Sequence, residues 1–277
     1  GTTHGSAYNY WHNKMAAQLA TRLGADPAPY TKEADLIARG MRELLWMPDR
    51  GMFAESKDWL GHQLVHSSAA VWSFYHTLDS EVPTTAEAVA MTHYIETEIP
   101  RIPVRGPGVP DGLHVVAISN WMPYTWSLNN VTMNENAHTA LGFWQAGRAD
   151  EAFRITKGSL LASMFMGISP GNVGTMNYLD VYRRESQRDF ADGSGVLSRA
   201  LIEGLFGVKP DALAGVLIVA THLKLNSTGA KYDPLVVQAA VVAAQALVLA
   251  TALAALVLVG LAAGWLVLRA FAKKKNH

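Results

Sequence analysis

The first 210 residues alternate apolar and polar positions with the period of amphipathic helices. This pattern predicts seven helices, near residues 8–23, 31–46, 64–78, 84–98, 133–146, 149–166 and 193–206. Thr31, the pair Thr84 and Glu87, and Ser194 are typical of helix starts, because their side chains can accept hydrogen bonds from the first N–H groups of a helix. Strand patterns are weak and are confined to residues 113–118 and 216–219. The pattern therefore predicts an all-α domain.

The predicted helices are joined by connections of two lengths. Short connections fall at residues 24–30, 79–83 and 147–148, and long ones at 47–63, 99–132 and 167–192. Loops longer than about 12 to 15 residues are usually functional. If the helices form an antiparallel array, the long connections all lie at the same end of it, and that end is predicted to carry the site.

The long connections are rich in the side chains that bind sugars. Indoles stack on the apolar faces of sugar rings, whereas carboxylates, amides and guanidinium groups bond to the hydroxyls, and cleavage of a glycosidic bond uses two carboxyl groups. The candidate carboxylates are Glu55, Asp58, Glu185, Asp189 and Asp192. The candidate sugar-binding residues are Trp59, Trp121, Trp126, Asn134, Glu135, Arg183 and Arg184.

Most of these candidates have a second interpretation. Glu55 and Asp58 can belong to a solvated loop, and Glu135 can cap the helix that starts beside it, where a carboxylate is favoured by the helix dipole. Arg183 and Arg184 can form an ion-pair cluster with Glu185 instead of holding a sugar. A further pair of charged residues, Arg199 and Glu203, has the spacing of an ion pair on a helix surface.

Four segments resemble the six-hairpin glycosidase superfamily, in a bacterial branch of it. They are FAESKDW at residues 53–59, YHTLDSE at 75–81, NENAHTA at 134–140 and SRALIEGLFG at 198–207. The resemblance covers residues 1 to about 215 and implies an (α/α)6 toroid. Since a complete toroid has twelve helices and seven are predicted here, the chain is expected to form a partial toroid, the C-terminal part of a catalytic domain.

The resemblance also implies roles for the carboxylates. A general base is expected in the loop before the last helix, which favours Asp189 and Asp192, followed by Glu185. The general acid would then be Glu55 or Asp58, or would lie upstream of Gly1 and be absent from this chain, and inverting hydrolysis is the expected reaction. The alternatives are a carbohydrate-binding module without activity and an inactive remnant or fused fragment.

Composition excludes several other classes of protein. The chain has 23 basic and 23 acidic residues and no cysteine, so it has neither the basic footprint of a nucleic-acid binder nor a thiolate for a zinc site, a disulfide or a nucleophile. The acidic segment 189–193 is too short for a calcium loop of the EF-hand type. No metal or other cofactor is expected, and the sequence does not predict an oligomeric state.

The C-terminal part of the chain differs from the rest. No charged residue occurs between Pro234 and Leu268, and a basic cluster follows. This pattern predicts a linker at 216–234, a transmembrane helix at 235–270 and a basic, cytoplasmic tail at 271–277, with the helical domain outside the cytoplasm. A buried helix of a soluble core and a fused segment are the alternatives. The expected partners are therefore a carbohydrate and a membrane.

Overall fold

The computed structural model of the chain describes residues 1–122, 130–165, 178–180, 185–187, 192–213 and 215–219. For residues 164, 165, 178–180, 185–187, 192 and 194 it describes the backbone alone. The chain divides into two units, Gly1–Leu223 and Lys224–His277. The predicted linker, membrane helix and basic tail are outside the described residues, apart from the first residues of the linker.

Helices dominate the described part of the chain, as predicted. They are α1 Thr3–Arg22, α2 Ala28–Leu44, α3 Val71–Asp79, α4 Thr85–Glu98, α5 Met133–Gln145, α6 Ala149–Leu160 and α7 Asp192–Arg199. A π-helical turn follows α6 at Leu161–Phe165, and another follows α7 at Ala200–Leu205.

The helices form two layers. In the inner layer, α1 packs against α3, α3 against α5, and α5 against α7, whereas α2, α4 and α6 each pack behind the helix that precedes them in the chain. Three antiparallel hairpins, α1–α2, α3–α4 and α5–α6, thus stand side by side and are followed by α7. A partial toroid requires this arrangement of inner and outer helices.

The long connections lie at the end where the inner helices begin. The backbone N–H of Thr3 donates to Glu55 O, that of Val71 to Ile118 O, and that of Ile118 to Asn130 O. These bonds link the starts of α1, α3 and α5 through the connections that precede α3 and α5. Within the described residues, the predicted grouping of the long connections is confirmed.

Short antiparallel strands occupy much of the long connections. The sequence pattern predicted the strands at His114–Val116 and Val216–Val219 and missed the others. The strands are β1 Trp46–Met47, β2 Met52–Phe53, β3 Ser56–Lys57, β4 Val65–His66, β5 Arg101–Pro103, β6 His114–Val116, β7 Val131–Thr132, β8 Tyr178–Asp180, β9 Glu185–Gln187, β10 Val208–Asp211 and β11 Val216–Val219. They pair as β1–β2, β3–β4, β5–β6, β7–β8–β9 and β10–β11. Runs of two or three residues are too short to show an alternating pattern.

Several predicted helix boundaries were wrong. Residues 64–70 precede α3, and β4 within them pairs with β3, so His66 lies on a strand and not on a helix. The helix predicted to start at Thr31 begins at Ala28, directly after Pro27, which has the fixed φ that suits a helix start. The start predicted near Ser194 lies at Asp192.

The start of α4 agrees with its sequence signal. Thr84 Oγ1 accepts from Glu87 N at 3.3 Å, and the Glu87 carboxylate accepts from Thr84 N at 2.6 Å. These two bonds form the predicted capping box.

The main hydrophobic core lies between α3, α4, α5 and the connections that support them. Phe74 and Phe143 are fully buried, with ring centroids 5.5 Å apart. Trp144 packs so closely on the turn after α7 that a Cβ at Gly204 would clash with its indole. The core therefore fixes α5 between its two inner neighbours.

No helix in the described portion of the chain is long and apolar enough to cross a membrane. The run from 235 to 270, on which the membrane prediction depends, is outside that portion.

Candidate functional site

A cavity of about 560 Å³ opens beside the start of α3, among the long connections. Its lining comprises Glu55, Ser56, Val65, His66, Ser67, Ser68 and Trp121. The indole of Trp121 is fixed, because its Nε1 donates to Ser68 O at 2.8 Å and its ring lies edge-on to Trp72, with centroids 5.4 Å apart. Two of the predicted site residues, Glu55 and Trp121, therefore meet in one cavity.

Glu55 is buried and accepts three hydrogen bonds. Its Oε2 accepts from Ala70 N at 3.0 Å and from Ser73 Oγ at 2.8 Å, and its Oε1 accepts from Trp72 Nε1 at 2.6 Å. All three donors belong to the first turn of α3 or to the residue before it. The carboxylate thus caps α3 at the positive end of its dipole. Because both oxygens of Glu55 accept hydrogen bonds from α3, the carboxylate stabilises the start of that helix, and this geometry does not favour a role as a proton donor.

Asp58 and Trp59 lie on the hairpin formed by β3 and β4. Asp58 Oδ1 is 2.8 Å from His66 Nε2, and both side chains are about half exposed. Trp59 is 84% exposed, so no neighbouring side chain covers its indole. Because its partner His66 lines the cavity, Asp58 lies at the rim of the cavity. Trp59 projects from the hairpin into solvent.

A second group of polar side chains covers the inner faces of α1, α3, α5 and α7. Tyr75 of α3 donates a hydrogen bond to Glu135 Oε2 of α5. The Tyr75 ring stacks on the ring of His138, with centroids 3.9 Å apart and an interplanar angle of 16°. The hydroxyl of Tyr8 on α1 is 3.3 Å from His76 Nε2. Side chains from three inner helices therefore converge around Tyr75 and His76.

Asp79 ties three of the inner helices together. Its carboxylate accepts two bonds from Arg199 of α7, at 2.6 and 2.8 Å, and lies 2.7 Å from His138 Nε2 of α5. Gln145, also on α5, donates to it at 2.9 Å. The predicted pair is confirmed as well, since Arg199 Nε donates to Glu203 Oε1 at 3.0 Å.

The pKa values of the titratable groups on these inner faces are shifted in different directions. Burial tends to raise the pKa of Asp79, but the hydrogen bonds from His138 and Arg199 outweigh it and hold the pKa well below 3.8. Burial, followed by the charge of His138, lowers the pKa of His76 to about 3. Burial and the Glu135 carboxylate raise the pKa of Tyr75 well above its ordinary value. At neutral pH, Asp79 is therefore ionised, His76 is neutral and Tyr75 keeps its proton.

His4 lies between the cavity and the inner-face group. Its Nδ1 is 3.8 Å from Glu55 Oε1, and its ring centroid lies 6.3 Å from Trp72 and 6.4 Å from His76. The cavity and the part of the inner-face group around His76 are therefore neighbours, and the rest of that group extends along the inner helices to Asp79 at the end of α3.

The remaining predicted residues are distributed as follows. Asn134 and Glu135 are half-buried in the first turn of α5, Glu185 is in β9, and Asp192 is the first residue of α7. Asp189, Arg183, Arg184 and Trp126 lie outside the described residues. The roles assigned to all of these residues stay predictions.

Tyr75, Asp79 and His138 were not among the predicted site residues. A signal for part of this group exists, because Trp72, Tyr75, His76 and Asp79 recur at the spacing of one helix face. Their partners on α5 and α7 are 59 to 120 positions away from them. Nothing in the local sequence connects the two sets.

No group of three or more histidine, aspartate or glutamate side chains in the described part of the chain could hold a metal ion.

Neither a protein-family model nor a curated protein matches the chain. Among solved structures, it is similar to an uncharacterized conserved protein from Thermus thermophilus, with a TM-score of 0.51 and 19% identity over 71% of this chain and 45% of that one. The chain shares its fold with that protein and spans less than half of its length.

Two glycoside hydrolases are also among the similar structures. A GH63 mannosylglycerate hydrolase from Thermus thermophilus has a TM-score of 0.49 and 19% identity, over 72% of this chain and 44% of that one. A rhamnosidase from Klebsiella oxytoca has a TM-score of 0.47 and 14% identity, over 74% of this chain and 34% of that one.

Proposed function

We propose that the helical domain is glycosidase-like, binds a carbohydrate at the end with the long connections and hydrolyses a glycosidic bond there. The observation that carries this proposal is the convergence of carboxylates and aromatic rings at that end. Glu55 and Trp121 share a cavity, Glu135 lies in the first turn of α5, and Asp192 starts α7. Acid–base cleavage of a glycosidic bond needs two carboxyl groups that flank the bond to be broken.

The roles in this proposal follow the position of each carboxylate. Asp189 or Asp192, at the approach to α7, would act as the base that activates water. Asp58 is the better placed of the two predicted acids, because its carboxylate is half exposed at the cavity rim and Glu55 is occupied by three donors of α3. The proposed reaction remains inverting hydrolysis.

A panel of aryl glycosides and oligosaccharides, incubated with the full 277-residue chain, tests this function. Asp189→Asn, Asp192→Asn and Asp58→Asn are compared with Glu43→Gln, an exposed control on α2. We expect loss of a catalytic acid or base to lower kcat by a factor of at least about 100 and the control to have the activity of the unchanged chain. Normal turnover in all three aspartate variants would contradict the assignment.

A second candidate function is carbohydrate binding without hydrolysis. The hydrogen bonding of Glu55 favours it, since this carboxylate holds α3 and does not face a leaving group as a proton donor. Binding of an oligosaccharide from the panel, measured by calorimetry with no product released over days, would support binding alone. Release of product would exclude it.

We also propose that residues 235–270 anchor the protein in a membrane, with the basic tail in the cytoplasm. Support comes from the uncharged run that ends at Leu268 and the basic residues that follow it. The full chain is expected to stay with membranes in alkaline carbonate and to be released by detergent. Leu256→Arg, near the middle of the run, should weaken retention. Complete extraction of the unchanged chain by carbonate would contradict the proposal.

A further inference from the structure

Glu135 is held by Tyr75, which was not among the predicted site residues. Tyr75 is 5% exposed and donates to Glu135 Oε2. Glu135 is half-buried in the first turn of α5, so an anchored carboxylate lies on the inner face at the end proposed to bind sugar.

The ring of Tyr75 is held in place by His138 and, through it, by Asp79. The ring stacks on His138, and His138 Nε2 is 2.7 Å from Asp79 Oδ2. Asp79 is bound in turn by both terminal nitrogens of Arg199. A series of contacts therefore runs from α7 through α3 to α5 and restricts the rotamer of Tyr75. Functional side chains need such support to hold one geometry.

We propose that Tyr75 is a positioning residue that holds the Glu135 carboxylate for hydrogen bonding to a sugar hydroxyl. This proposal rests on the proposed function, because it names a group of the same site that would contact the carbohydrate. Glu135 would bind the sugar, and Tyr75 would act through Glu135 without touching the substrate. If this is correct, a substitution that removes the Tyr75 hydroxyl or the Glu135 carboxylate should weaken substrate binding.

The charged and titratable groups around this pair come from all four inner helices. Among the described residues they are His4 and Tyr8 on α1, Tyr75, His76 and Asp79 on α3, Glu135 and His138 on α5, and Arg199 on α7. Among them, Tyr75 donates a hydrogen bond directly to Glu135. Loss of its hydroxyl should therefore affect the Glu135 carboxylate more than loss of a tyrosine hydroxyl elsewhere.

The first experiment needs no ligand. The full chain is labelled with carbon-13 at the glutamate carboxyls and titrated with acid while NMR spectra are recorded. The unchanged protein, Tyr75→Phe and Tyr94→Phe are compared, and the signal of Glu135 is identified by its absence in Glu135→Gln. Tyr94 is the matched control, being a buried tyrosine whose hydroxyl accepts from Ala69 N at 2.9 Å. Since a donor to the charged form lowers a carboxyl pKa, Tyr75→Phe should raise that of Glu135 by about one unit. An unchanged value would overturn the proposal.

The second experiment uses whichever aryl glycoside of the panel the unchanged chain hydrolyses. Tyr75→Phe and Glu135→Gln should each raise KM about tenfold and change kcat little, because they remove binding shared by the ground and transition states. Tyr94→Phe should leave KM unchanged. A normal KM in Glu135→Gln would overturn the sugar contact, and a normal KM in Tyr75→Phe alone would overturn the positioning role. If no glycoside is bound or hydrolysed, the proposed function fails and the titration still decides whether Tyr75 holds Glu135.

Discussion

A buried carboxylate, Glu55, and a partly buried one, Asp79, lie at opposite ends of α3, and they are stabilised in different ways. Glu55 is at the start of the helix, where it accepts bonds from Ala70, Trp72 and Ser73. Asp79 is the last residue of the helix, where the dipole is unfavourable to a negative charge. It is stabilised instead by Arg199 and His138, which come from other inner helices.

The difference shows which carboxylate depends on the assembled domain. Glu55 needs α3 alone once its connection has folded back on the helix start. Asp79 needs α5 and α7 to be in place, because a carboxylate at the negative end of a helix, buried without cations, would be strongly destabilised. Substitution of Asp79 is therefore expected to weaken the packing between inner helices, whereas substitution of Glu55 is expected to weaken only the start of α3.

The largest effect is expected for Asp79→Ala. Removing one partner of a partly buried ion pair leaves the other uncompensated. We expect the free energy of unfolding to fall by about 3 kcal/mol, the low end of the range for buried pairs, because Arg199 is partly exposed. Urea unfolding measures the loss. In the double variant Asp79→Ala with Arg199→Ala, the combined loss should be smaller than the sum of the single losses. Additive losses would show that the pair does not couple α3 to α7.

A somewhat smaller effect is expected from acid. The folded-state pKa of Asp79 is below 3.8, so its contribution is complete above pH 4 and is lost as pH falls further. The folded-state pKa of His76 is about 3 against 6.5, so protonation in the unfolded state also lowers stability as pH falls from 6.5. The shift of His76 alone corresponds to about 5 kcal/mol in full, and its partial exposure to solvent screens part of that energy. We therefore expect a loss of about 2 to 3 kcal/mol between pH 6.5 and 3, measured by urea unfolding. Below pH 4, where Asp79 takes up its proton, an equal loss in Asp79→Asn would contradict the role of Asp79.

Glu55→Gln should be milder than Asp79→Ala. The amide keeps one acceptor oxygen but places an NH2 group among N–H and O–H donors, which leaves at least one buried donor without a partner. We expect a loss of about 1 to 2 kcal/mol, measured by urea unfolding. A loss as large as that of Asp79→Ala would show that the start of α3 also depends on the packing of several helices.

Thr84→Ala should have the smallest effect. It removes the side-chain half of a capping box formed within four consecutive residues of α4, and such caps contribute about 1 kcal/mol. Thermal unfolding with Thr31→Ala as the control provides the comparison, since α2 starts three residues before Thr31. Equal effects of the two substitutions would contradict the capping role of Thr84.

Sequence patterns predicted the helices because several of them, such as α2, α6 and α7, have an apolar face with helical periodicity, and α4 has a capping signal at its start. They also predicted the connections that line the cavity, since loop length depends only on where helices stop and start. The boundaries at residues 64–70 and at Thr31 were wrong, because short strand pairing and Pro27 decide those starts. The part of the site between 181 and 191 stays a prediction.

The inner-face group shows what sequence reasoning misses. Tyr75 and Asp79 lie within a segment that resembles six-hairpin glycosidases, yet neither was predicted as a site residue. Arg199 was predicted to pair with Glu203, and it does so. Its second partner, Asp79, is 120 positions away. Contacts of that range follow from the order in which the inner helices pack.

The sequence alone determined the helical class of the domain, the alternation of short and long connections, and the capping box of α4. These features depend on interactions between residues close in the chain, whose pattern is visible in the order of amino acids. Tertiary structure decided that Glu55 caps α3, that Tyr75 meets Glu135, and that Asp79 joins three helices. Each of these contacts forms where a carboxylate is removed from water. Removing an unpaired carboxylate from water raises the free energy of the folded state, so the fold is stable only where packing brings hydrogen-bond donors from distant segments to it.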